Sequence, residues 1–518
     1  WPMQTAIFGM CVLVMAIPAA CMGASLPILA ELAAGPERNG ASLGRLYSIN
    51  TVGGLLGAAA GALVLLPLLG IQKGIVLCAW LYLAIGLAAR GMGGLNGSLA
   101  TRAAPTAVAA AGVVLGLLLP GWSRSVMTSG IYLESSYKYH DDTPESARRR
   151  MEEGELLFYE EGVTATVAVR KVGEHLALRI NGKVDASTGA DMGSQLLFGH
   201  LPLLLHPDPR KIMVIGLGSG VTLGAVTRHP VESVEAVEIE PAVARAARYF
   251  RDFNHDPFGD PRVRRLLTDA RNYLFLTRGR YDVITAEPSN PWQTGVSNLF
   301  TREYYEAARA RLADGGLMCQ WIHIYGLRWP EVRMAVRTFL DVFPHTTVWA
   351  RGGDLLLVGT PAPLRISMRA LEARLAVPAV RDDLGRMSVR GGAQLLSHFI
   401  VDEAGAAESF TESRRHTDDR PLLEFLGPRT LYLNTDLAGE EVIRLRRDPL
   451  PLLAGPVQPS VRDAVLKALA AQRAIQKADL AVLRQDEQAA ADVLEAAWKE
   501  SPGDPRLSTR LEQTHHRL

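Results

Sequence analysis

Hydrophobic positions fall into two regimes along this chain. Up to residue 122 they run almost unbroken, with uncharged stretches at residues 1–30, 46–72, 74–89 and 103–123. A helix needs about 20 apolar residues to cross a bilayer, and these four runs are expected to be transmembrane helices. The third is short but has Gly-rich flanks. A cleaved signal peptide fits the first run poorly, because no basic leader precedes it and three more runs follow. The chain opens with Trp1 rather than Met, so four is the minimum expected. In the second run Gly57 and Gly61 form a GxxxG pair suited to close helix packing in lipid. No Asp, Glu, Lys or His lies mid-span, so the usual mark of an ion or proton path is absent and an anchor or packing scaffold is expected.

Beyond residue 123 the pattern shortens. After a junction over 123–150, strands are expected at Leu156–Tyr159, Thr164–Arg170 and His175–Ile180, with Asn181-Gly182 as a hairpin turn. A helix around Gln195–Leu205 leads into candidate strands Lys211–Gly216, Ser233–Ile239, Tyr281–Ala286, Gly316–Ile324, Thr346–Ala350 and Leu355–Gly359. Helices are expected at 241–250, 301–313 and 329–342. Such alternation argues a parallel, doubly wound sheet. Residues 460–518 read as a helical tail broken at Ser501-Pro502-Gly503, with no chemistry in it. The expected domains are 1–123 transmembrane, 124–206 junction and small β-domain, 207–365 the alternating α/β domain, 366–450 extension and 451–518 tail.

Charge sharpens the division. Of 55 basic and 54 acidic side chains, only Glu31, Glu37, Arg38, Arg45, Lys73, Arg90 and Arg102 lie in residues 1–122. That distribution excludes a wholly soluble protein. The net charge of +1, with no Lys/Arg tract, excludes an electrostatic nucleic-acid binder. Cys11, Cys21 and Cys78 lie in apolar stretches and Cys319 stands alone, so no disulfide framework or zinc spacing can be drawn and no metal is expected. Charges flanking the spans do not settle orientation: Arg38, Arg45, Arg90 and Arg102 oppose Lys73, Arg124 and Lys138.

The strongest local signal is Val214-Ile215-Gly216-Leu217-Gly218-Ser219-Gly220, a strand entering a Gly-rich turn and a helix. Gly216, Gly218 and Gly220 let the backbone approach a ligand, and the helix N-terminus favours anionic groups. About twenty residues later Glu238 ends a strand, where a carboxylate can accept both ribose hydroxyls of a nucleoside. Asp269-Ala270 opens a further helix, where Asp269 can reach an adenine amino group or serve as a plain N-cap. The turn is GxGxG, without the third glycine of the dinucleotide fingerprint. Together these elements fit S-adenosylmethionine (SAM) better than NAD.

The stretch Tyr281-Asp282-Val283-Ile284-Thr285-Ala286-Glu287-Pro288-Ser289-Asn290-Pro291-Trp292, followed by Leu299-Phe300-Thr301-Arg302-Glu303-Tyr304-Tyr305, resembles the polyamine aminopropyltransferases, the spermidine synthase family. There an acidic D-S-x-D-P-type loop precedes an L-F-T-x-E-F-Y helix. The resemblance covers roughly 155–360. The N-terminal spans, with Gly44-Arg45-Leu46-Tyr47-Ser48-Ile49-Asn50-Thr51-Val52-Gly53, and Thr417-Asp418-Asp419-Arg420-Pro421-Leu422-Leu423-Glu424-Phe425 look like a membrane-fused bacterial branch. Members move the aminopropyl group of decarboxylated SAM onto an amine and release 5′-methylthioadenosine. The resemblance implies an α-helical transmembrane region plus an α/β class I SAM-methyltransferase-like (Rossmann-like) domain with a small N-terminal β-domain. It also implies SAM or its decarboxylated form as substrate.

Departures from the family pattern fall on the amine side. Ser219 stands where soluble members carry Asp, and the two loop acids become Glu287 and Asn290. The upstream Y-H-E aligns with Ser194-Gln195-Leu196, and L-D-G with Ile180-Asn181-Gly182. Most amine-binding carboxylates therefore read as lost. Serine at 219 would accept the carboxylate of intact SAM that aspartate repels. The favoured expectation is a membrane-anchored, SAM-consuming enzyme that cyclises the aminocarboxypropyl group to homoserine lactone, a step that needs no base. Glu287 and Asn290 are the candidate catalytic residues, with Gly216, Gly218, Ser219, Gly220, Glu238, Asp269, Ala270 and Gln195 binding the nucleoside. The alternatives are aminopropyl transfer to an amine, methyl transfer, and a non-catalytic membrane sensor. His323 reads as a strand or pocket-wall residue, and His416 with Asp418 and Asp419 as a turn salt-bridged by Arg420. The Trp292–Gly295 loop suits either a lid or plain packing. Expected partners are a small-molecule substrate and membrane lipid, with a homo-oligomer allowed and no nucleic acid. The expected location is the cell inner membrane, with the catalytic domain cytoplasmic.

Overall fold

The computed structural model describes residues 2–33, 40–92, 99–130, 133, 143–411, 413–430 and 436–516. The chain divides into two compact units, Trp1–Gly121 and Trp122–Leu518.

The first unit is helical: α1 (Pro2–Ala33), α2 (Gly40–Ala60), α3 (Leu66–Met92) and α4 (Leu99–Leu118), with a π-helical turn at Gly61–Leu65 joining α2 to α3. The break in α3 comes at Gly70 (φ 75°, ψ 177°), not at Lys73 where the charge pattern placed it. Glycine alone adopts that φ freely, so the backbone turns there. Phe8–Glu31 and Gly40–Ala88 are long and apolar enough to cross a membrane by length and composition, and Ala103–Leu118 is apolar but shorter. A Cβ added at Gly57 or Gly61 of the GxxxG pair would meet nothing within 4 Å among the described residues. Close packing falls instead on Gly112 and Gly116 of α4, where an added Cβ would lie 2.7 Å from Leu83 and from Trp80. Of the charges weighed for orientation, Arg38 and Lys138 lie outside the described residues.

The second unit begins with an antiparallel meander of β1 (Glu155–Glu161), β2 (Thr166–Val172), β3 (His175–Ile180) and β4 (Lys183–Ser187). Asn181 (φ 51°) and Gly182 (φ 85°) form the β3–β4 turn, both left-handed as a two-residue type I′ hairpin demands. The strand after that turn was not expected. Helix α5 (Met192–Leu205) follows and is buried almost throughout.

The main sheet holds β5 (Lys211–Ile215), β6 (Ser233–Glu238), β7 (Val263–Leu267), β8 (Tyr281–Ala286), β9 (Leu312–His323), β10 (His345–Arg351), β11 (Asp354–Thr360) and β12 (Phe399–Val401). Their order is β12-β10-β11-β9-β8-β5-β6-β7. Pairings from β7 through β9 are parallel, but β11 runs antiparallel to β9 and β10, and β12 antiparallel to β10. The sheet is therefore mixed rather than parallel throughout. The cause is the Gly352-Gly353 connection, since two residues can join only antiparallel strands. Side chains alternate between two cores: Ile212 and Val214 pack with Leu201 and Leu204 of α5, Met213 and Ile215 with Tyr304, Tyr305 and Phe339 on the other face. Burial on both faces explains why these strands read as continuous apolar runs.

Helix α5 is also fixed by a buried polar network. His200 Nδ1 lies 2.9 Å from His229 Nε2, and His200 Nε2 lies 2.9 Å from Asp383 Oδ2. Asp383 Oδ1 takes His255 Nε2 at 2.9 Å and Arg386 Nη1 at 2.7 Å. Asp383 belongs to the helix Pro378–Gly385, so this network clamps the C-terminal extension onto α5. The tail helices Pro459–Leu483, Glu487–Glu500 and Pro505–His515 share a small core of their own. The expected break lies at Gly503 (φ 94°), and a second one occurs at Gln485 (φ 62°).

Candidate active site

The C-terminal ends of β5, β6, β7 and β8 meet along one edge, the place where open α/β sheets bind ligands. After β5, Gly216 (φ 85°), Gly218 (φ 51°) and Gly220 (φ 80°) turn the chain into the helix Val221–Thr227. Gly216 is forced by proximity as well as by φ. A Cβ there would lie 2.4 Å from the Glu287 carbonyl oxygen, and Glu287 N donates to Ile215 O at 2.8 Å. The glycine turn and the loop after β8 are thus held against each other.

Glu238 ends β6 and is buried. Its carboxylate accepts from Leu217 N at 3.0 Å and from Glu240 N at 2.8 Å, which ties it to the glycine turn. Burial raises its pKa, and these backbone bonds oppose the rise. Each oxygen keeps a further lone pair for a ligand hydroxyl. Asp269 caps the helix Ala270–Leu276 by accepting from Asn272 N at 2.7 Å, so its N-cap role is realised, with Ala270 buried behind it.

Around Ser219 the arrangement differs from the sequence expectation. Ser219 Oγ donates to Gln195 Oε1 at 2.5 Å and accepts from Val221 N at 3.2 Å, so its hydroxyl is already committed. Gln195 Nε2 donates to Ser187 O at 2.9 Å and to Asp191 Oδ2 at 3.1 Å. Thr222 Oγ1 donates to Glu287 Oε2 at 2.5 Å. Asn290 is buried, and its Oδ1 has no hydrogen-bond partner among the described residues.

Around Glu287 stand three carboxylates that sequence reasoning missed. Asp185, on β4, accepts from Ser289 Oγ at 2.8 Å, beside Glu287 in the same loop. Asp191 precedes α5, and Asp354 opens β11 and accepts from Trp321 Nε1 at 3.0 Å. Loss of water pushes the Glu287 pKa up to about 8; Asp354, Asp191 and Asp185 add to the rise, and the Thr222 hydrogen bond opposes it. Burial likewise raises Asp354 to about 6. Carboxylates thus stand near Glu287 although the family positions Ser219, Asn290, Gln195 and Asn181 carry none. These three acids sit on β4, at the residue before α5, and at the β10–β11 hairpin. Asp185 was hidden in an unrecognised strand, and Asp354 by its distance of 67 residues from Glu287. The only local signal was polar residues interrupting otherwise strand-like runs.

His323 is buried on β9 with neither ring nitrogen partnered among the described residues, its ring stacked with Trp321 (5.4 Å) and tilted against Tyr325 (4.7 Å). Burial, with Lys183 nearby, keeps its imidazole neutral by lowering its pKa well below the usual value. His416 is structural: its Nε2 lies 2.9 Å from Ser297 O, and its N donates to Thr338 Oγ1 at 2.9 Å. Asp418 pairs with Arg271 rather than Arg420, because the chain carries it to the helix Ala270–Leu276. The Trp292–Gly295 loop packs on the extension, where a Cβ at Gly427 would lie 2.6 Å from that of Trp292.

Comparison with known proteins places this geometry. Residues 193–347 match the family model of the spermine/spermidine synthase domain. Over 153 residues the chain is 34% identical to a spermidine synthase of Dictyostelium discoideum, covering 28% of this chain and 54% of that one. It is 31% identical over 155 residues to putrescine N-methyltransferase 1 of Nicotiana tabacum, covering 29% and 41%. A crystal structure of spermidine synthase from Thermotoga maritima aligns at 21% identity with a TM-score of 0.35, covering 44% of this chain and 88% of that one. The chain spans about half the length of the first curated relatives it matches. The α/β sheet is thus of the spermidine synthase-like, methyltransferase Rossmann-like kind.

Proposed function

We propose that this site transfers the aminopropyl group of decarboxylated SAM to an amine and releases 5′-methylthioadenosine. The observation that carries this reading is the gathering of Asp185, Asp191 and Asp354 around Glu287. A cationic donor and a protonated amine are the ligands such a cluster recruits. Homoserine lactone formation from intact SAM, the sequence-based expectation, loses two of its supports. The acids are present, and Ser219 spends its hydroxyl on Gln195 and Val221.

In this mechanism Glu238 and Asp269 would hold the ribose and adenine ends of the nucleoside over the Gly216–Gly220 turn. Glu287 takes a proton from the amine, whose lone pair then attacks the carbon attached to sulfur. A C–N bond forms, the C–S bond breaks, and its electron pair stays on sulfur in methylthioadenosine. Ionised Glu287 is disfavoured in the free site, and an ammonium beside it favours that form, so base and substrate charge each other in place.

Methyl transfer is the second reading, favoured by the likeness to a putrescine N-methyltransferase. Mass spectrometry of products from purified protein decides between them. Methylthioadenosine formed with decarboxylated SAM and an amine supports the proposal. S-adenosylhomocysteine formed from SAM supports methyl transfer, and methylthioadenosine with homoserine lactone from SAM alone restores cyclisation. We also propose that the apolar first unit anchors the chain in a membrane.

A further inference from the structure

We propose that Lys183 is a resident cation on the amine side of the site, and that the acceptor is therefore a monoamine whose far end is uncharged. This inference rests on the aminopropyl-transfer reading above. Lys183 Nζ donates to Asp185 Oδ1 at 2.6 Å and to Val184 O at 3.0 Å. The two side chains are only 9% and 8% exposed, so the pair sits inside the site rather than at its rim. Asp185 also accepts from Ser289, which fastens the lysine to the loop that carries Glu287 and Asn290.

The acids nearest Glu287 in effect then bear on what the ligands bring. Besides Glu287, which serves the reacting nitrogen, the cluster offers Asp185, Asp191 and Asp354. Lys183 cancels one of these negative charges and leaves two. Decarboxylated SAM carries two positive charges, its sulfonium and its propylammonium, and so matches them. An acceptor with a second ammonium would bring a cation with no anion left to meet it, in a site where an unpaired buried charge is expensive. Asp191 is further occupied by neutral donors, taking Ser187 N at 2.7 Å and Gln195 Nε2 at 3.1 Å as well as the Ser187 hydroxyl.

The wall beside these acids suits an uncharged end. Trp321 and His323 lie on one face of β9, and Tyr325 continues the row of rings at 4.7 Å from His323. His323 is fully buried, and its two nitrogens, unpartnered among the described residues, present a neutral imidazole rather than an anion. Specificity here is a difference between acceptors, set by what the site refuses as much as by what it holds.

The test gives purified full-length protein decarboxylated SAM with either butylamine or putrescine and follows methylthioadenosine. The wild-type kcat/KM is expected to be at least tenfold higher for butylamine. Lys183→Ala is expected to shift the butylamine-to-putrescine ratio at least tenfold toward putrescine, and Lys183→Arg to preserve it. If the alanine variant does not purify folded, Lys183→Gln, which keeps a donor to Asp185, takes its place. A wild-type preference for putrescine, or a ratio unmoved by the neutral variants, overturns the resident-cation inference while leaving amine transfer intact. No methylthioadenosine with either amine overturns the parent reading and this one with it.

Discussion

In the proposed reaction Glu287 takes a proton from an ammonium, and its surroundings set the pH at which it can do so. In the free site its pKa lies at about 8, so at neutral pH the carboxyl is mostly protonated and cannot act as a base. The value of kcat/KM should therefore rise with pH and level off above about 8. With the cationic donor bound the ionised form is favoured, so the midpoint in kcat should lie at lower pH than that in kcat/KM. Glu287→Gln should abolish this ionisation and lower kcat by about 100-fold or more while changing KM little. Profiles that are flat from pH 6 to 9, or unchanged in the glutamine variant, would remove Glu287 from the base role. Glu238→Ala should weaken nucleoside binding by about 2–3 kcal/mol, the scale of losing charge-assisted hydrogen bonds, and calorimetry reads it directly. These two acids were legible because Glu238 ends β6 and Glu287 directly follows β8, each inside a short local motif. Asp185, Asp191 and Asp354 were not, because no spacing rule links residues that only the folded sheet brings together. Lys183 was overlooked for the same reason, since its meaning depends on where Asp185 ends up.

Among the elements, the contact between the loops after β5 and β8 has the least slack. Gly216→Ala must hold φ near 85° with a methyl group pressed against the Glu287 carbonyl. The dihedral alone costs about 1–3 kcal/mol, and relief of the clash would move Glu287. Urea unfolding should show lost stability, and residual activity should fall in kcat more than in KM; an alanine variant as stable and active as wild type would contradict this packing. The helix Pro378–Gly385 makes a second case. Asp383→Ala would leave His200, His255 and Arg386 facing one another without their shared carboxylate, at a cost of about 3–5 kcal/mol. Against the cost of burial, the hydrogen bonds from His200 and His255 hold the Asp383 carboxyl below its usual range. Its contribution is thus complete above the unfolded value of about 4 and fades as pH falls below it. Equal unfolding midpoints for wild type and variant at pH 7 would deny the clamp. Most strands of the sheet could be read from apolar runs, because burial on both faces leaves that signature. β7 could not, since Arg264 and Arg265 interrupt it, and neither could β12, three residues long at the sheet edge. The antiparallel turn of β10 into β11 lay in Gly352-Gly353, a signal that alternation of strands and helices does not carry.

For the whole molecule, the first unit has a surface that water does not favour. Phe8, Leu13, Leu55, Leu68 and Leu118 are each about 70% exposed or more, and few charges relieve them. Burying such area stabilises by roughly 25 cal/mol per Å², and the hydrocarbon of a bilayer offers that burial. The span from Phe8 to Glu31 has 24 residues, enough helix for a hydrocarbon core of about 30 Å. The chain should therefore sediment with membranes, resist extraction by alkaline carbonate, and dissolve only in detergent. Recovery in the soluble fraction without detergent would refute the anchor. Hydropathy made this unit legible, but flanking charge left its orientation undecided. The proposed reaction supplies the missing argument: a SAM-derived donor is made in the cytoplasm, so on that proposal the second unit should face that side. A reporter fused after Leu518 that needs the cytoplasm should be active, and one that needs the far side silent. The opposite pattern would separate the site from its substrate, and would sink both the orientation and the enzymatic reading that motivates it.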